Sequence, residues 1–172
     1  MMKFALSGVA ATALAVSAAL AAPEIGTAAP AFEGAASNGE SISLEQFRGQ
    51  PIVLEWTNHD CPAVIKHYVT GNMQATQAKA AEKGAVWISI ISSAPGKQGY
   101  VEAAEANSLT ESRNAGPSYV VLDPSGEIGK RYAAKTTPHM FVIDAEGTLR
   151  YDGAIDDKPS TNPETVDGAH NY

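Results

Sequence analysis

One cysteine, Cys61, stands in the whole of this 172-residue sequence. A single thiol excludes an internal disulfide, so the stability of the chain has to come from an ordinary hydrophobic core. Positive charge is also scarce, with 12 lysines and arginines against 19 aspartates and glutamates and a formal net charge of −7. The cations Lys66, Lys79, Lys83, Lys97, Lys130 and Lys135 are scattered without a cluster. A nucleic-acid-binding face or a patch for anionic lipid needs such a cluster, so neither partner is expected. Phosphate-binding loops, dinucleotide fingerprints and a Ser-His-Asp order are missing too, and no repeat or low-complexity tract interrupts the chain.

Long apolar runs are absent except at the start. Lys3 is followed by the uncharged stretch from Phe4 to Ala21, and Ala19-Leu20-Ala21 places small residues at the two positions a signal peptidase reads. A signal peptide over residues 1–21 is expected, with an exported, periplasmic destination. The stretch has the length of a membrane span, but its alanine richness makes it weakly hydrophobic, which favours removal over anchorage. Residues 22–172, roughly 150 in number, suffice for one domain with one core and no membrane span. Without Lys3 they carry 11 basic against 19 acidic residues, a net charge of −8 that most simply serves solubility. In an oxidising compartment the lone thiol is either buried and inert or reactive.

The remaining sequence alternates strand and helix patterns. Ala31–Ala35 and Ser41–Ser43 flank the turn signal Asn38-Gly39, which predicts an N-terminal β-hairpin. Ser43 with Gln46 reads as a capping box opening a helical turn over Leu44–Phe47. The run from Pro51 to Thr57 is mostly apolar and predicts a central, doubly covered strand. Pro62 suits a first helical position, and Val64, Ile65, Tyr68, Val69, Met73, Thr76 and Ala80 predict one helix to about Lys83, weakened at Gly71-Asn72. Val86–Ile91 predicts a second buried strand and Gly99–Leu109 a second helix. Tyr119–Leu122 then forms a strand and Ile128–Ala133 a short helix. Met140–Ile143 pairs with Thr148–Tyr151 across Ala145-Glu146-Gly147. Residues from Ala154 onward read as a loop with a helix just beginning at Pro163. The fold class is α/β, a central mixed sheet flanked by helices. Trp56, Trp87, Tyr119 and Phe141 lie within predicted strands and are assigned to the core. Asp123-Pro124 and Asp156-Asp157 are assigned to turns.

Two segments carry a resemblance. Trp56-Thr57-Asn58-His59-Asp60-Cys61-Pro62-Ala63-Val64 puts a cysteine at a helix start, and Thr136-Thr137-Pro138-His139-Met140-Phe141-Val142-Ile143-Asp144 puts a proline at the head of a later strand. Together they resemble the thioredoxin-like superfamily. With the N-terminal hairpin and Tyr151–Asp157 the chain looks like the peroxiredoxin-like (AhpC/TSA, redoxin) branch of exported thioredoxin-fold proteins, over about Ile25 to Tyr172. The resemblance implies that Cys61 is the attacking cysteine and that Pro138 is a cis-proline. It also implies that Thr137 and Pro138 position the substrate. Val64 stands where a second cysteine would, so resolution falls to an external thiol. Asn58 and Leu54 replace the threonine and proline that peroxiredoxins place three and seven residues before their cysteine, with Thr57 displaced by one. Relatives in this branch continue into a closing helix with a further cysteine beyond it, and on that likeness the domain is truncated.

The chemistry expected of Cys61 follows from its place. A thiol attacks as thiolate, and the free N–H groups and dipole of a helix start stabilise that anion. His59, Lys66 and His139 are expected to add positive charge near it, while Asp60 opposes the thiolate. His67 is read as a surface or hydrogen-bonded residue. The first function expected is an oxidoreductase acting on a protein or small-molecule disulfide, or on a hydroperoxide, with no cofactor. The alternative is a binding module without catalysis, holding a peptide or a soft metal ion between His59 and His139.

Overall fold

The computed structural model describes residues 22–172, and the expected signal segment 1–21 lies outside them. Its seven strands are β1 (Glu33–Ala36), β2 (Ser41–Ser43), β3 (Ile52–Trp56), β4 (Val86–Ile91), β5 (Tyr119–Leu122), β6 (His139–Ile143) and β7 (Leu149–Gly153). The helices are α1 (Pro62–Val69), α2 (Asn72–Glu82), α3 (Ala103–Ser112) and α4 (Glu127–Arg131). The sheet runs in the order β2-β1-β5-β4-β3-β6-β7. β3, β4 and β5 are parallel, and the β1–β2 and β6–β7 hairpins join them antiparallel on either side. Among the described residues no helix is long and apolar enough to cross a membrane.

Strand periodicity divides the core. Alternate residues point to opposite faces, so Ile52, Leu54 and Trp56 of β3 pack with Ile88, Ile90, Val121, Phe141 and Ile143, under Ile128 and Tyr132 from the α4 region. On the other face Val64, Tyr68 and Met73 from α1 and α2 cover Trp87 and Met140, while Ala106 of α3 covers Ile91 and Val120. The central strand β4 is buried along its whole length. The expected mixed sheet with helices on both faces is therefore found, and the Asn38-Gly39 hairpin with it. Trp56, Trp87 and Phe141 are buried and Tyr119 packs against the core, as assigned.

Three element boundaries differ from expectation. The helix drawn from Pro62 to Lys83 is two helices, because Gly71 takes a left-handed φ of +77°. Thr70 meanwhile donates its hydroxyl to the Lys66 carbonyl at 2.8 Å, satisfying an end of α1 that Gly71 leaves open. α3 begins at Ala103 rather than Gly99 and runs on to Ser112. Gly99 has a φ of +79°, outside the helical region, and lies against Asn58 in the loop before the helix. After β7 the chain makes a single 3-10 turn over Pro163–Val166 where a helix was expected to begin, then returns so that Asp156 bridges Asn171. Asn171 and Asn72 exchange amide hydrogen bonds of 2.8 and 3.2 Å, tying this segment to α2.

Candidate thiol site

Cys61 is the residue capping α1 at its N-terminus, with Pro62 in the first helical position. Proline lacks the N–H that would be unpaired there and its fixed φ suits the first turn. The loop from β3 is folded by Asn58, whose side-chain oxygen accepts from Asp60 N at 2.9 Å and whose carbonyl accepts from Cys61 N at 3.0 Å. Asn58 thus shapes the turn that delivers the thiol. Gly99 makes room for it, since a Cβ there would lie 2.4 Å from the Asn58 side chain.

The loop before β6 supplies the other wall. Thr137-Pro138 is a cis peptide bond, and Cys61 Sγ donates to the Thr137 carbonyl at 3.1 Å. Partial burial raises the pKa of the thiol, but hydrogen bonding from the Thr137 side chain first, and from the backbone N–H groups of Val64 and Ala63, lowers it. The net lies below the ordinary thiol value. The sulfur at this junction is partly buried, packed at the edge of the cluster that α1 forms with the sheet, and free of any disulfide.

The other predicted residues are distributed differently. His139 follows Pro138, and its Nε2 donates to Asp152 Oδ1 at 2.7 Å while its Nδ1 accepts from Lys135 N at 3.3 Å. The ring also stacks on Phe141, with centroids 4.4 Å apart. These contacts clamp the 135–139 loop from behind. His59 lies 3.3 Å from Asp60 through Nε2, and its carbonyl accepts from Arg113 at 3.1 Å. Together with Tyr68 and Arg113 it lines the cleft between α1 and α3. Lys66 corrects the expectation that it charges the thiol site. It is 1% exposed, with Nζ 3.0 Å from Asp156 Oδ2 and 3.1 Å from the Lys158 carbonyl. His67 is the hydrogen-bonded of the two expected alternatives: it is buried and accepts from Asn72 at Nδ1. Burial first, and the Lys66 charge second, lower its pKa to about 4 against the pull of Asp156. Among the described residues no three His, Cys, Asp or Glu side chains converge to hold a metal ion.

One residue beneath the site went unread. Glu55 on β3 is fully buried, within a run taken as apolar. Its carboxylate accepts from Trp87 Nε1 and Ser89 Oγ, both at 2.9 Å, and from the Tyr68 hydroxyl at 3.0 Å. Burial raises its pKa above the usual carboxylate range, and those three donors, with the Thr57 side chain, oppose the shift. The signal was available, since an acid inside a doubly covered strand has to find buried donors.

A mixed sheet with a thiol at the start of the helix after its central strand, facing a cis-proline loop, defines a thioredoxin-like protein. Solved structures share the fold. An uncharacterised conserved protein from Geobacillus kaustophilus is similar with a TM-score of 0.70 at 21% identity, covering 84% of this chain and 78% of that one. A hypothetical protein from Sinorhizobium meliloti 1021 is similar with a TM-score of 0.70 at 20% identity, covering 86% and 82%. A thiol:disulfide interchange protein from a Bacteroides species is similar with a TM-score of 0.61 at 19% identity, covering 85% and 90%. No curated protein matches. The Redoxin family model matches residues 24–169, and the chain belongs to the Redoxin family.

Proposed function

We propose that this protein is an exported thiol oxidoreductase in which Cys61 attacks a disulfide and an external thiol completes the cycle. The carrying observation is the sulfur at the N-terminus of α1, 3.1 Å from the Thr137 carbonyl and partly open to solvent. The thiolate attacks one sulfur of the substrate disulfide, the old S–S bond breaks, and the departing thiolate takes a proton from water. A second, external thiolate then attacks the mixed disulfide, releases Cys61 and leaves with the substrate half as a new disulfide. Val64, standing at the motif position of a second cysteine, supports this external step. Reduction of a hydroperoxide by the same sulfur, through a sulfenic acid that two external thiol equivalents return to the thiol, is the subordinate form. Asn58 and Leu54, in place of the expected threonine and proline, weigh against it. The apolar stretch before Ala22 supports export.

Intact mass after treatment with a small disulfide at neutral pH tests this reading. One adduct per chain is expected, reversed by added thiol and lost in Cys61→Ser. Its rate should rise with pH around a midpoint below that of a free thiol. A chain that gains no Cys61-dependent mass is not an oxidoreductase, and the fold would then serve as a peptide-binding module.

A further inference from the structure

Below Cys61 the outer side of α1 is left uncovered. Ile65 and Val69 follow the cysteine at intervals of four residues, so the three descend one side of the helix. Ile65 is 41% exposed and Val69 66%, two of the four large hydrophobic residues exposed among those described. Both line a cleft of about 740 Å³ between α1 and the C-terminal end of α3. A single exposed aliphatic residue is ordinary, but two on adjacent turns beside a cleft make a patch that a partner can cover.

The cleft has one permanent charge, and it is positive. Arg113 lies over the Tyr68 ring, 4.9 Å from its centroid, and donates to the His59 carbonyl at 3.1 Å. No carboxylate lines the cleft, and among the described residues the lysine and arginine ion pairs belong to Arg48, Lys66, Arg150 and Lys158. Asp60 faces the His59 imidazole at 3.3 Å instead, and Glu111 stands two positions before Arg113, on another side of α3. The cation is also held in place. Tyr68 is fixed by its hydroxyl on Glu55 at 3.0 Å, and Gln74 donates to the Tyr68 carbonyl at 3.0 Å and to the Arg113 carbonyl at 2.6 Å. A guanidinium stacked on one face and bonded through one nitrogen keeps its remaining N–H groups for a carboxylate. In a chain of net charge −7 this is a local reversal of sign.

We infer that this cleft docks a polypeptide substrate of Cys61, one whose cysteine is flanked by an apolar side chain and a carboxylate. The inference rests on the oxidoreductase reading and names the substrate class for the same thiol. At 1.5 Å per residue Ile65 lies about 6 Å and Val69 about 12 Å along α1 from Cys61, distances an extended peptide covers in about two to four residues. The apolar side chain rests on Ile65 and Val69, and the carboxylate meets Arg113. The step is the exchange already written: the Cys61 thiolate bonds to the peptide sulfur, the old S–S bond breaks, and the other half leaves as thiolate.

Three heptapeptides test it on the full chain, each carrying its cysteine as a mixed disulfide with 2-mercaptoethanol. The parent is Glu-Leu-Gly-Cys-Gly-Leu-Glu, which offers the same groups on either side of the cysteine; the second has glutamines for its glutamates and the third serines for its leucines. Peptide adducts on Cys61 are followed by intact mass, and each rate is divided by that of free N-acetylcysteinamide with the same reagent. The parent should exceed the glutamine peptide by about fivefold, the range of a partly exposed ion pair. It should exceed the serine peptide by about tenfold, from half-burying a leucine. Arg113→Gln should bring the first ratio to near one, and Arg113→Lys should keep part of it. Val69→Ser should lower the second ratio, while Ile25→Ser, at a position 61% exposed and outside the cleft, should keep both. Equal rates for the three peptides overturn the inference. So does a glutamate preference that survives Arg113→Gln, or a leucine preference that falls as far in Ile25→Ser as in Val69→Ser. A native dimer that Val69→Ser dissolves in size-exclusion chromatography also overturns it, since a second copy would then cover the stripe. If neither the peptides nor bis(2-hydroxyethyl) disulfide react through Cys61, the oxidoreductase reading itself fails. Reaction with the small disulfide but no preference among the peptides removes the cleft alone.

Discussion

Replacing Glu55 with glutamine should remove a pH dependence from the stability of this protein. The carboxylate is fully buried, and burial raises its folded pKa above the ordinary glutamate value of about 4.3. The folded state therefore holds its proton to higher pH than the unfolded chain. Stability from this group is complete below the unfolded pKa and falls as pH rises towards the folded one, by at most about 1.4 kcal/mol per pH unit for one proton. His67 acts in the opposite direction. Its folded pKa is lowered to about 4, so stability is lost as pH drops from about 6.5 towards that value. The two partly cancel, and the Glu55 contribution appears only as a difference between variants. Glutamine keeps an oxygen for Trp87 and Ser89 and turns its amide towards the Tyr68 hydroxyl, which can accept. Urea unfolding at several pH values between about 4.5 and 8 should show Glu55→Gln gaining on the native protein as pH rises, with m unchanged. Glu55→Leu should lose about 3 kcal/mol or more at every pH, because it strands three buried donors at about 1 to 3 kcal/mol each. Parallel curves for the native protein and Glu55→Gln would refute the reasoning.

Lys66→Met should destabilise the fold by about 3 to 5 kcal/mol by leaving Asp156 buried without its cation, and adding Asp156→Asn should restore much of that in the same unfolding assay. Gly99→Ala should cost more than about 1 kcal/mol, since it adds a left-handed φ penalty to a 2.4 Å clash with Asn58. It should also slow alkylation of Cys61 by disturbing the turn. Gly71→Ala serves as its comparison, because nothing lies within 4 Å of a Cβ there and only the backbone penalty, about 1 kcal/mol, applies.

Much of the architecture follows from local pattern. The Pro51–Thr57 and Val86–Ile91 runs are apolar because both faces of a central strand are covered, and Asn38-Gly39 makes a hairpin because its turn needs a positive φ. Placing Cys61 at a helix start needed only Pro62 and the strand before it. The surroundings of Cys61 were harder to read, and Lys66 shows why. Five residues at 3.6 per turn carry it about 140° around α1 from Cys61, so a cation close in sequence meets the segment after β7 instead. His139 illustrates a different limit. Its place after Pro138 was legible, but Asp152 reaches it only through the β6–β7 pairing, in a register that also contains an irregularity between Val142 and Ile143.

The thiol site relies less on charge than sequence proximity suggests. Asp60 is next to Cys61, yet its carboxylate is half-exposed and sits 3.3 Å from His59, so solvent and a neighbouring imidazole both weaken its effect on the sulfur. Lys66 is spent on Asp156, and His139 on Asp152. Hydrogen-bonding groups rather than charges are what lie against Cys61. The S–H form has the Thr137 carbonyl as acceptor, and the thiolate has the Thr137 side chain and the N–H groups of Val64 and Ala63 as donors. Both protonation states therefore have partners on elements held by other contacts, α1 by its packing on the sheet and the 135–139 loop by the His139 clamp. The sulfur is placed by the turn that Asn58 folds and the loop that His139 holds. Both positions act on the thiol through backbone geometry.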